Sequence, residues 1–359
     1  MRIAFLYNEP QEDPAGVAED SDPYCSPIVA ALRGAGHEVT PLACTLDLES
    51  VRRQLEQLAP DVVFNRVESL GGSDALPAAL MLLLDVLGIP YTGCPTEPFL
   101  ATTGKLAVKE RLRSAGLPTP AWVVDDDELS PIRADSFFNL CSLSAAPCFP
   151  SRYILKSVYE HASFSMNDES VVNAADREQL VAFIRDYETR WQRPFFAEQY
   201  IDGREFNLAL LGDEPTVLPP AEIDFSAFPA GKPRIVGQRA KFAAGSFEFE
   251  NTPRRFDFPI EDSALIEQLK ELAAKCWRIF GLHGYVRVDF RCDAAGQPWI
   301  LEINSNPCLS PDSGFAAALA EAGIGYDQGI ERILLDGVER DQRHSSRQRQ
   351  LTHEHVFSR

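Results

Sequence analysis

The sequence predicts an α/β protein in which an N-terminal parallel α/β layer is followed by two α+β units. Strand and helix patterns alternate through residues 1–104, the order typical of a parallel sheet. Further on, the segments 285–292 and 299–304 alternate apolar and polar residues around a turn, which indicates a hairpin with one buried face. A chain of 359 residues is too long for one ordinary domain and suggests two or three.

The first unit is predicted over residues 1–104. Its strand patterns lie at 2–7, 37–43, 61–67 and 89–93, and its helical patterns lie at 27–35 and 75–88. Parallel sheets bind ligands at the carboxyl ends of their strands, so the loops after Tyr7 and Asn65 are candidates for substrate contact. The acidic, proline-containing segment 8–23 is interpreted as a mobile loop, and a binding role for it stays open.

Two further units and a tail follow along the chain. The second unit is predicted over 105–193, the third over 194–338, and a polar, disordered tail over 339–359. Helical patterns lie at 105–116, 174–191 and 327–338. Strand patterns before and after Asp202-Gly203 add to the hairpin of the third unit.

Composition and charge narrow the classes of function. The net charge of −19 argues against a nucleic-acid partner, because binding a phosphate backbone requires a basic surface. No segment has the pattern of a membrane span, and the N-terminal strand lacks the features of a signal peptide. A cytoplasmic protein without a membrane partner is therefore expected. The eight cysteines are scattered without a CxxC pair, which favours reduced thiols over disulfides or zinc ligands.

Four polar side chains are predicted to share one face of the C-terminal hairpin. Arg287, Asp289, Glu302 and Asn304 alternate with apolar residues on its two strands. Aspartate, glutamate and asparagine supply the hard oxygen ligands that suit Mg²⁺ bridging substrate phosphates, and Arg287 adds a fixed positive charge. The alternative is a solvated face with a surface ion pair, which contributes little to stability.

The predicted register of this hairpin follows from its turn. Pairing Cys292 with Gln297 places Arg287 opposite Glu302. Asp289 then becomes the diagonal neighbour of Glu302, within reach of a common ligand.

Three lysines stand where the phosphates of a nucleotide could be bound. Lys105 opens a helix, Lys156 ends a strand, and Lys241 lies in a loop after GQRA. Lysine side chains bind phosphates as point charges, and backbone N–H groups contribute further hydrogen bonds. Each lysine alone also fits a solvated surface position. The loop 159–163 follows Lys156 directly and is a candidate phosphate-covering flap that includes Ser163, although it lacks glycine.

An adenosine site is predicted in the segment 198–205, EQYIDGRE. Backbone groups of an extended segment can hydrogen-bond to the edge of a base, and Glu205 can accept hydrogen bonds from ribose hydroxyls. An ordinary strand with a polar turn is the alternative. The chain contains neither G-x-x-x-x-G-K-[ST] nor G-x-G-x-x-G, which argues against P-loop and Rossmann nucleotide binding.

In chain order, one set of segments consists of Lys105, Lys156 with its loop, EQYIDGRE, Lys241, RVDF and EINSNP. This ordered set resembles the ATP-grasp superfamily and, within it, the D-alanine–D-alanine ligase family. The resemblance extends from about residue 62 to residue 338. It implies an ATP-grasp fold, with ATP clamped between the second and third units. It also implies ATP and Mg²⁺ as cofactors, small amino-acid-like molecules as substrates, and a possible homodimer.

The resemblance further implies roles for individual residues. Phosphates would be contacted by Lys105, Lys156 and Lys241, with Ser163 in the covering flap. The adenosine site would be lined by Glu198, Gln199, Ile201 and Glu205. Two Mg²⁺ ions, or Mn²⁺, would be bound by Asp289, Glu302 and Asn304, with Glu302 bridging them. Arg287 would stabilise the oxyanion of the tetrahedral intermediate, and Ser313 would hold the carboxylate of the second substrate. Lys241 would belong with these two residues to the catalytic set.

Departures from the family's pattern concern the first substrate. The family's GG-x-S-x-E signature is absent, because the first strand runs into Asn8-Glu9-Pro10. The flap serine and the tyrosine after the third lysine, which complete that contact in the family, correspond to Ala162 and Phe242. The glycine after EIN-x-x-P corresponds to Cys308. A backbone N–H donor to an oxyanion is one interpretation of Cys308, and a small buried thiol without chemistry is the other.

These observations predict an ATP- and Mg²⁺-dependent carboxylate–amine ligase that joins small amino-acid-like molecules. A true D-alanine–D-alanine ligase of cell-wall synthesis is the alternative, and a non-catalytic ATP-binding regulatory module is a third hypothesis. Retention of Arg287, Asp289, Glu302 and Asn304 favours catalysis, since ATP binding alone does not require all four. The altered first subsite favours a substrate other than D-alanine.

Overall fold

The structure of the protein, a computed structural model, describes residues 1–8, 26–125, 147–160 and 163–356, with side chains described up to residue 343. The chain forms three β-sheets with helices packed against them. Most of the predicted loop 8–23 and the flap residues His161 and Ala162 lie outside the described residues.

The N-terminal sheet is parallel, which confirms the prediction from the alternating strand and helix patterns. Its strands are β1 Arg2–Asn8, β2 Glu38–Cys44 and β3 Val62–Asn65, in the order β2-β1-β3. Its helices are α1 Pro27–Gly34, α2 Leu48–Leu58, α3 Pro77–Leu87 and α4 Thr96–Thr103. The strand predicted at 89–93 was wrong. Tyr91 forms an isolated bridge to Val63 instead, because Pro90 has no N–H to donate and Gly93 adopts a φ of 86°.

The second sheet is antiparallel and has its own core. Its strands are β4 Trp122–Val123, β5 Ser151–Ser157, β6 Val171–Ala174 and β7 Phe195–Gln199, in the order β4-β7-β5-β6. Helix α6 Arg177–Trp191 packs against it, whereas α5 Lys105–Ser114 contacts α4 and places Val108 and Leu112 in a different buried cluster. Helix α6 packs Leu180 and Ile184 against Tyr153 and Phe195 of the sheet. The second sheet is therefore a packing unit in its own right.

The third sheet is also antiparallel and carries the C-terminal hairpin. Its strands are β8 Arg204–Gly212, β9 Thr216–Val217, β10 Ala221–Ile223, β11 Arg254–Arg255, β12 Gly284–Cys292 and β13 Pro298–Asn304. The order is β11-β10-β8-β12-β13, and β9 also pairs with β8. The helices of this part are α7 Gln238–Phe242, α8 Phe247–Glu250, α9 Ser263–Phe280, α10 Gly314–Glu321 and α11 Tyr326–Val356.

The turn between β12 and β13 differs from the predicted one. Cys292 pairs with Pro298, so the predicted pairing with Gln297 was wrong. The Asp293 carboxylate accepts hydrogen bonds from the backbone N–H groups of Ala295 and Gln297, at 2.9 and 3.0 Å. Because Asp293 holds Gln297 inside the turn in this way, the loop is one residue longer than predicted.

A β-bulge shifts the pairing of this hairpin a second time, just after Asp289. Asp289 lies directly opposite Glu302, and Arg287 lies opposite Asn304 rather than Glu302 as predicted. The extra residue of the bulge, Leu301, faces the cavity described below. The two acidic residues are therefore direct cross-strand neighbours, closer than the predicted diagonal pair.

The last helix extends beyond its predicted end. Helix α11 continues to Val356, so the prediction of a disordered tail from residue 339 was wrong for residues 339–356. This segment is rich in arginine and glutamine, which are strong helix formers. Arg340 donates hydrogen bonds to the carbonyl groups of Tyr91, at 2.8 Å, and Gly93. These bonds attach the helix to the first unit.

The first and third sheets share a hydrophobic core. Leu6 and Val63 of the parallel sheet belong to the same buried cluster as Val288 and Phe290 of β12. The parallel sheet is thus packed against the sheet that carries the polar hairpin. Within the described part of the chain, no helix is both long and apolar enough to cross a membrane.

Candidate active site

A cavity of about 740 Å³ is lined by residues from all three sheets. A small pocket of about 40 Å³ shares Lys105, Lys241 and Glu302 with it. The large cavity brings together most of the site residues predicted from the sequence, namely Lys105, Lys156, Ser163, Glu198, Ile201, Glu205, Lys241, Arg287, Asp289, Glu302, Asn304 and Ser313. Predicted site residues as far apart in sequence as Lys105 and Ser313 therefore line one site.

Gln199 is the predicted site residue that the structure does not bring to this cavity. Its side-chain amide donates to the thiol of Cys148 at 3.7 Å, and its backbone N–H bonds to Ala121. The cavity is lined instead by its neighbours Glu198 and Tyr200. Adjacent residues of a strand point to opposite faces, so Glu198 and Gln199 cannot both face the cavity.

The acidic face of the hairpin is held by a network of hydrogen bonds. Arg287 donates to both carboxylate oxygens of Asp289, at 2.7 and 2.8 Å, and Asn207 donates to the same group at 2.8 Å. Burial raises the pKa of the Asp289 carboxyl, and the charge of Arg287 opposes that rise. The side-chain oxygen of Asn304 accepts from the backbone N–H of Asn306 at 3.0 Å. Carboxylate and amide oxygens of β12 and β13 are thus fixed beside the cavity.

Glu302 lies in strongly positive surroundings. Lys105 is 3.5 Å from one of its oxygens and Arg287 is 3.9 Å from the other. Burial alone would raise the pKa of Glu302, but the charges of Lys105, Lys241 and Arg287 outweigh it and hold this pKa well below its usual value. Glu302 is therefore ionised and available as a metal ligand near neutral pH.

The donor set fits Mg²⁺ but not a metal that needs many protein ligands. The described residues contain no group of three or more histidine, cysteine, aspartate or glutamate side chains placed to hold a metal. Two carboxylates and an amide oxygen are sufficient for Mg²⁺, which keeps several waters and takes its other ligands from substrate phosphates. Asp289, Glu302 and Asn304 match that requirement.

Lys105 and Lys241 bring positive charge to the same end of the cavity. Lys105 opens helix α5 and lies 3.0 Å from a carboxylate oxygen of Glu160. Burial lowers the pKa of Lys105, but Glu160 and Glu302 outweigh it and keep the lysine charged. Lys241 lies in helix α7, and no described residue forms an ion pair with it. Its charge is therefore available to a ligand.

Glu198 is bound by two lysines, one of which the sequence analysis missed. Lys156 lies 2.6 Å from one carboxylate oxygen, and the buried Lys109 contacts the other. Lys109 also donates to Thr119 at 2.8 Å and to the carbonyl of Pro120 at 3.2 Å. Burial lowers the pKa of Lys109 to about 8, against the opposing charge of Glu198. Helical spacing from Lys105 would have been the signal for Lys109, which lies one turn further along α5.

Glu205 has a partner that was also missed. Arg291 lies 2.8 Å from the Glu205 carboxylate and donates to the carbonyl of Gly203 at 2.9 Å. Burial raises the pKa of Glu205, and Arg291 opposes that rise. Arg291 follows Asp289 by two positions on β12, so the period-2 alternation could have placed it on the same face.

The ends of the parallel strands reach the cavity, as the strand-end rule predicted. Tyr7 and Asn8 line it at the end of β1, and Arg66 and Glu68 line it after β3. Arg66 is 2.7 Å from Glu68, and its other nitrogen donates to Asn306 at 2.8 Å. The sequence pointed to these loops but not to the pairing of Arg66 with Glu68.

Ser313 and Cys308 lie at the end of the cavity formed by the segment after β13. Ser313 caps helix α10, since its hydroxyl accepts from the backbone N–H of Ala316 at 3.2 Å. Arg254, from β11, lines the cavity beside it. The thiol of Cys308 is exposed and lies 3.1 Å from the hydroxyl of Ser310, so the interpretation of Cys308 as a buried thiol was wrong.

Comparisons with known proteins agree with this architecture. A family model described as "D-ala D-ala ligase C-terminus" matches residues 112–335. Protein y4sG of Sinorhizobium fredii is 30% identical, covering 90% of this chain and 88% of the relative. A D-alanine–D-alanine ligase of Moorella thermoacetica is 28% identical, covering 93% and 98%. The crystal structure of the Bacillus anthracis D-alanine–D-alanine ligase complexed with ATP is similar in fold, with a TM-score of 0.66 at 18% identity, covering 96% of this chain and 99% of that one.

Proposed function

Since this chain belongs to the D-alanine–D-alanine ligase family of the ATP-grasp superfamily, it is an ATP-dependent ligase that forms an amide bond, and we propose that it joins two small amino-acid-like substrates through an acyl phosphate. The family uses ATP and Mg²⁺. In the proposed reaction a carboxylate oxygen of the first substrate attacks the γ-phosphorus and ADP leaves. The amine nitrogen of the second substrate then attacks the acyl carbon, inorganic phosphate leaves, and the nitrogen loses a proton.

One observation carries this proposal. Asp289 and Glu302 lie directly opposite each other in a cavity that also contains Lys105, Lys156 and Lys241. Phosphoryl transfer needs little covalent help from the protein, and it depends on positioning and on neutralising charge at the phosphoryl oxygens. Opposed carboxylates for a metal and lysines for phosphates supply these two requirements.

The site residues receive their proposed roles from this arrangement. Glu198, Ile201 and Glu205 line the adenosine part, while Lys105, Lys156, Lys241 and Ser163 contact phosphates. Asp289, Glu302 and Asn304 hold Mg²⁺, which neutralises phosphate charge when bound, and the proposal includes two ions with Mn²⁺ as a substitute. Arg287, fixed by two hydrogen bonds to Asp289, offers its positive charge to the developing oxyanion. Ser313 holds the carboxylate of the second substrate.

The proposal also covers the domain organisation, the oligomeric state and the cellular location of the protein. Residues 1–104, 105–193 and 194–338 would act as three domains, with ATP between the second and the third. A homodimer is part of the proposal, as in the resembling family. We place the reaction in the cytoplasm, because it consumes ATP.

The first substrate is proposed to differ from D-alanine. Phe242 lines the cavity at the position where the family has a tyrosine, so that position offers no hydroxyl. The strand that carries the family's glutamate runs here into Asn8, whose side chain bonds to Ser69 at 3.1 Å and to backbone N–H groups of the β3 loop. Because relatives are named D-alanine–D-alanine ligase, that activity is the second candidate function for this chain.

ADP release with ATP and Mg²⁺, measured against D- and L-amino acids and small dipeptides singly and in pairs, tests the function. Mass detection identifies the product. A pair-dependent signal with an amide product is expected. D-Alanyl-D-alanine as the main product would establish the second candidate instead. ATP binding without turnover on any pair would favour the third hypothesis, a regulatory module.

A further inference from the structure

Arg254 differs from the other arginines that line the cavity. Each of those has a carboxylate partner within the protein, at 2.7 Å for Arg66 with Glu68, 2.7 Å for Arg287 with Asp289 and 2.8 Å for Arg291 with Glu205. No described residue forms an ion pair with Arg254. Among the lysines, Lys241 shares this property and already has a proposed role at the phosphates. Arg254 is thus a cation in the cavity without an assigned partner.

The position of Arg254 is fixed against the start of helix α10. One guanidinium nitrogen donates to the backbone carbonyl of Asp312 at 3.0 Å. A Cβ built on Gly314 would lie 3.3 Å from Nε of Arg254, so the guanidinium packs directly against the first residue of the helix. Ser313, between these two contacts, lines the same cavity. Arg254 therefore lies beside the residue proposed to hold the second substrate's carboxylate.

The surroundings of this guanidinium favour an anion. Arg254 is solvent-exposed on β11, and the nearby positive charge of Arg287 is unfavourable to its guanidinium. The Asp312 carboxylate partly offsets this charge but is not within ion-pair distance. A cation at a helix N-terminus is also unfavourable, because the helix dipole is positive there. Adding a negative charge from a ligand would relieve both unfavourable effects.

We propose that Arg254 binds a second negative charge on the amine substrate, which is therefore a dicarboxylic, amino-acid-like molecule rather than a neutral amino acid. The inference rests on the proposed ligase function, in which Ser313 takes the first carboxylate. A guanidinium can hold a carboxylate through two parallel hydrogen bonds. Because one nitrogen of Arg254 bonds to Asp312, its remaining donors are left for this carboxylate.

Equilibrium binding tests the inference without requiring turnover. Titration calorimetry would be done with a non-hydrolysable ATP analogue and Mg²⁺ present, using glutamate against glutamine and aspartate against asparagine in both enantiomers. Each pair matches in size and differs in charge. We expect at least one acidic member to bind about tenfold or more tightly than its amide. Equal or weaker binding by every acidic member, including no binding, overturns the inference.

Two substitutions separate binding from structure. Arg254→Gln should remove the preference for the acidic member while leaving affinity for the ATP analogue unchanged, and Arg254→Lys should restore part of it. Arg255→Gln is the matched control, since Arg255 is the neighbouring arginine of β11 and pairs with Glu222 at 3.1 Å. Retention of the full preference in Arg254→Gln would also overturn the proposal.

A different experimental result would contradict the proposed ligase function. Absence of ADP release and product with every pair of substrates contradicts the proposed reaction, whatever the binding preference. Turnover with neutral amines only would uphold the ligase and overturn the role of Arg254. The two failures are therefore distinguishable.

Discussion

The carboxylate of Asp289 connects the charge-stabilising arginine with the proposed metal site. Arg287 and Asn207 hold it through three hydrogen bonds, so its position does not depend on a ligand. Asp289→Asn keeps the shape but removes the charge. We expect turnover to fall about a hundredfold or more, because a preorganised group of this kind typically contributes that much to the rate.

The ADP-release assay checks this prediction, with Mg²⁺ titrated in parallel. Glu267→Gln is the control, since Glu267 is an exposed carboxylate on α9 that pairs with Lys270. Near-normal turnover in Asp289→Asn would remove Asp289 from the metal site.

Lys109 is predicted to act on ATP binding through Glu198. It is 1% exposed, and its removal leaves the buried Glu198 with Lys156 alone. Because Lys156 is also proposed to contact phosphate, the two demands on it would then compete. Lys109→Met should raise the KM for ATP about tenfold and lower the free energy of unfolding by about 1–3 kcal/mol.

Kinetics and urea unfolding measure these two effects, with Lys270→Met on the exposed face of α9 as control. A lower stability with an unchanged KM would show that Lys109 is structural only.

Charged residues of this site could be predicted where they belonged to a strand that alternates polar and apolar residues. Those outside such a pattern could not. Asp289 and Glu302 lie on alternating strands, and that alternation predicted their shared face. Arg254 lies on a two-residue strand that no pattern marks, and its place beside the start of α10 depends on tertiary packing. The sequence marks such an arginine only as an exposed residue, not as one that lines a cavity.

At the scale of elements, the link between β7 and β8 positions the adenosine site. The two strands flank Asp202-Gly203 but belong to different sheets, so this link crosses from the second sheet to the third. A Cβ on Gly203 would lie 1.8 Å from the carbonyl oxygen of Cys292. Gly203→Ala must therefore push β12 away from the link.

We expect Gly203→Ala to lower the free energy of unfolding by about 1–3 kcal/mol. The KM for ATP should rise as well, because Arg291, which holds Glu205, donates to the Gly203 carbonyl. Thermal unfolding and ATP kinetics measure both effects. Gly34→Ala is the control, because a Cβ there meets nothing within 4 Å. Equal stability of the two variants would contradict the close approach.

The hairpin shows why element boundaries were predicted better than register. The alternation correctly located β12 and β13, since it depends on burial of one face. The pairing depends on the Asp293 hydrogen bonds in the turn and on the bulge at Leu301, which follows the equally apolar Ile300. Two adjacent apolar residues do not by themselves show which of them is the extra residue of a bulge.

At the scale of the whole molecule, the order of strand and helix patterns was enough to predict a parallel first unit followed by two α+β units. It did not predict which units share a core. Leu6 of β1 and Phe290 of β12 belong to one buried cluster, while Tyr153 and Phe195 belong to the separate core of the second sheet. That division depends on tertiary packing between segments far apart in sequence.

This division of cores predicts a pattern of hydrogen exchange. Amides of β1 and β12 should open together with the highest free energy, because their side chains share one core. Amides of β5 should exchange through a separate, lower-energy opening of the second sheet. A non-hydrolysable ATP analogue with Mg²⁺ should slow exchange in β5 more than in β1, since Lys156 of β5 lies in the proposed phosphate site. Exchange of β1 together with β5, and well before β12, would contradict this prediction. The first and third sheets would then not form one cooperative unit, and their shared core would not be the cause of their common stability.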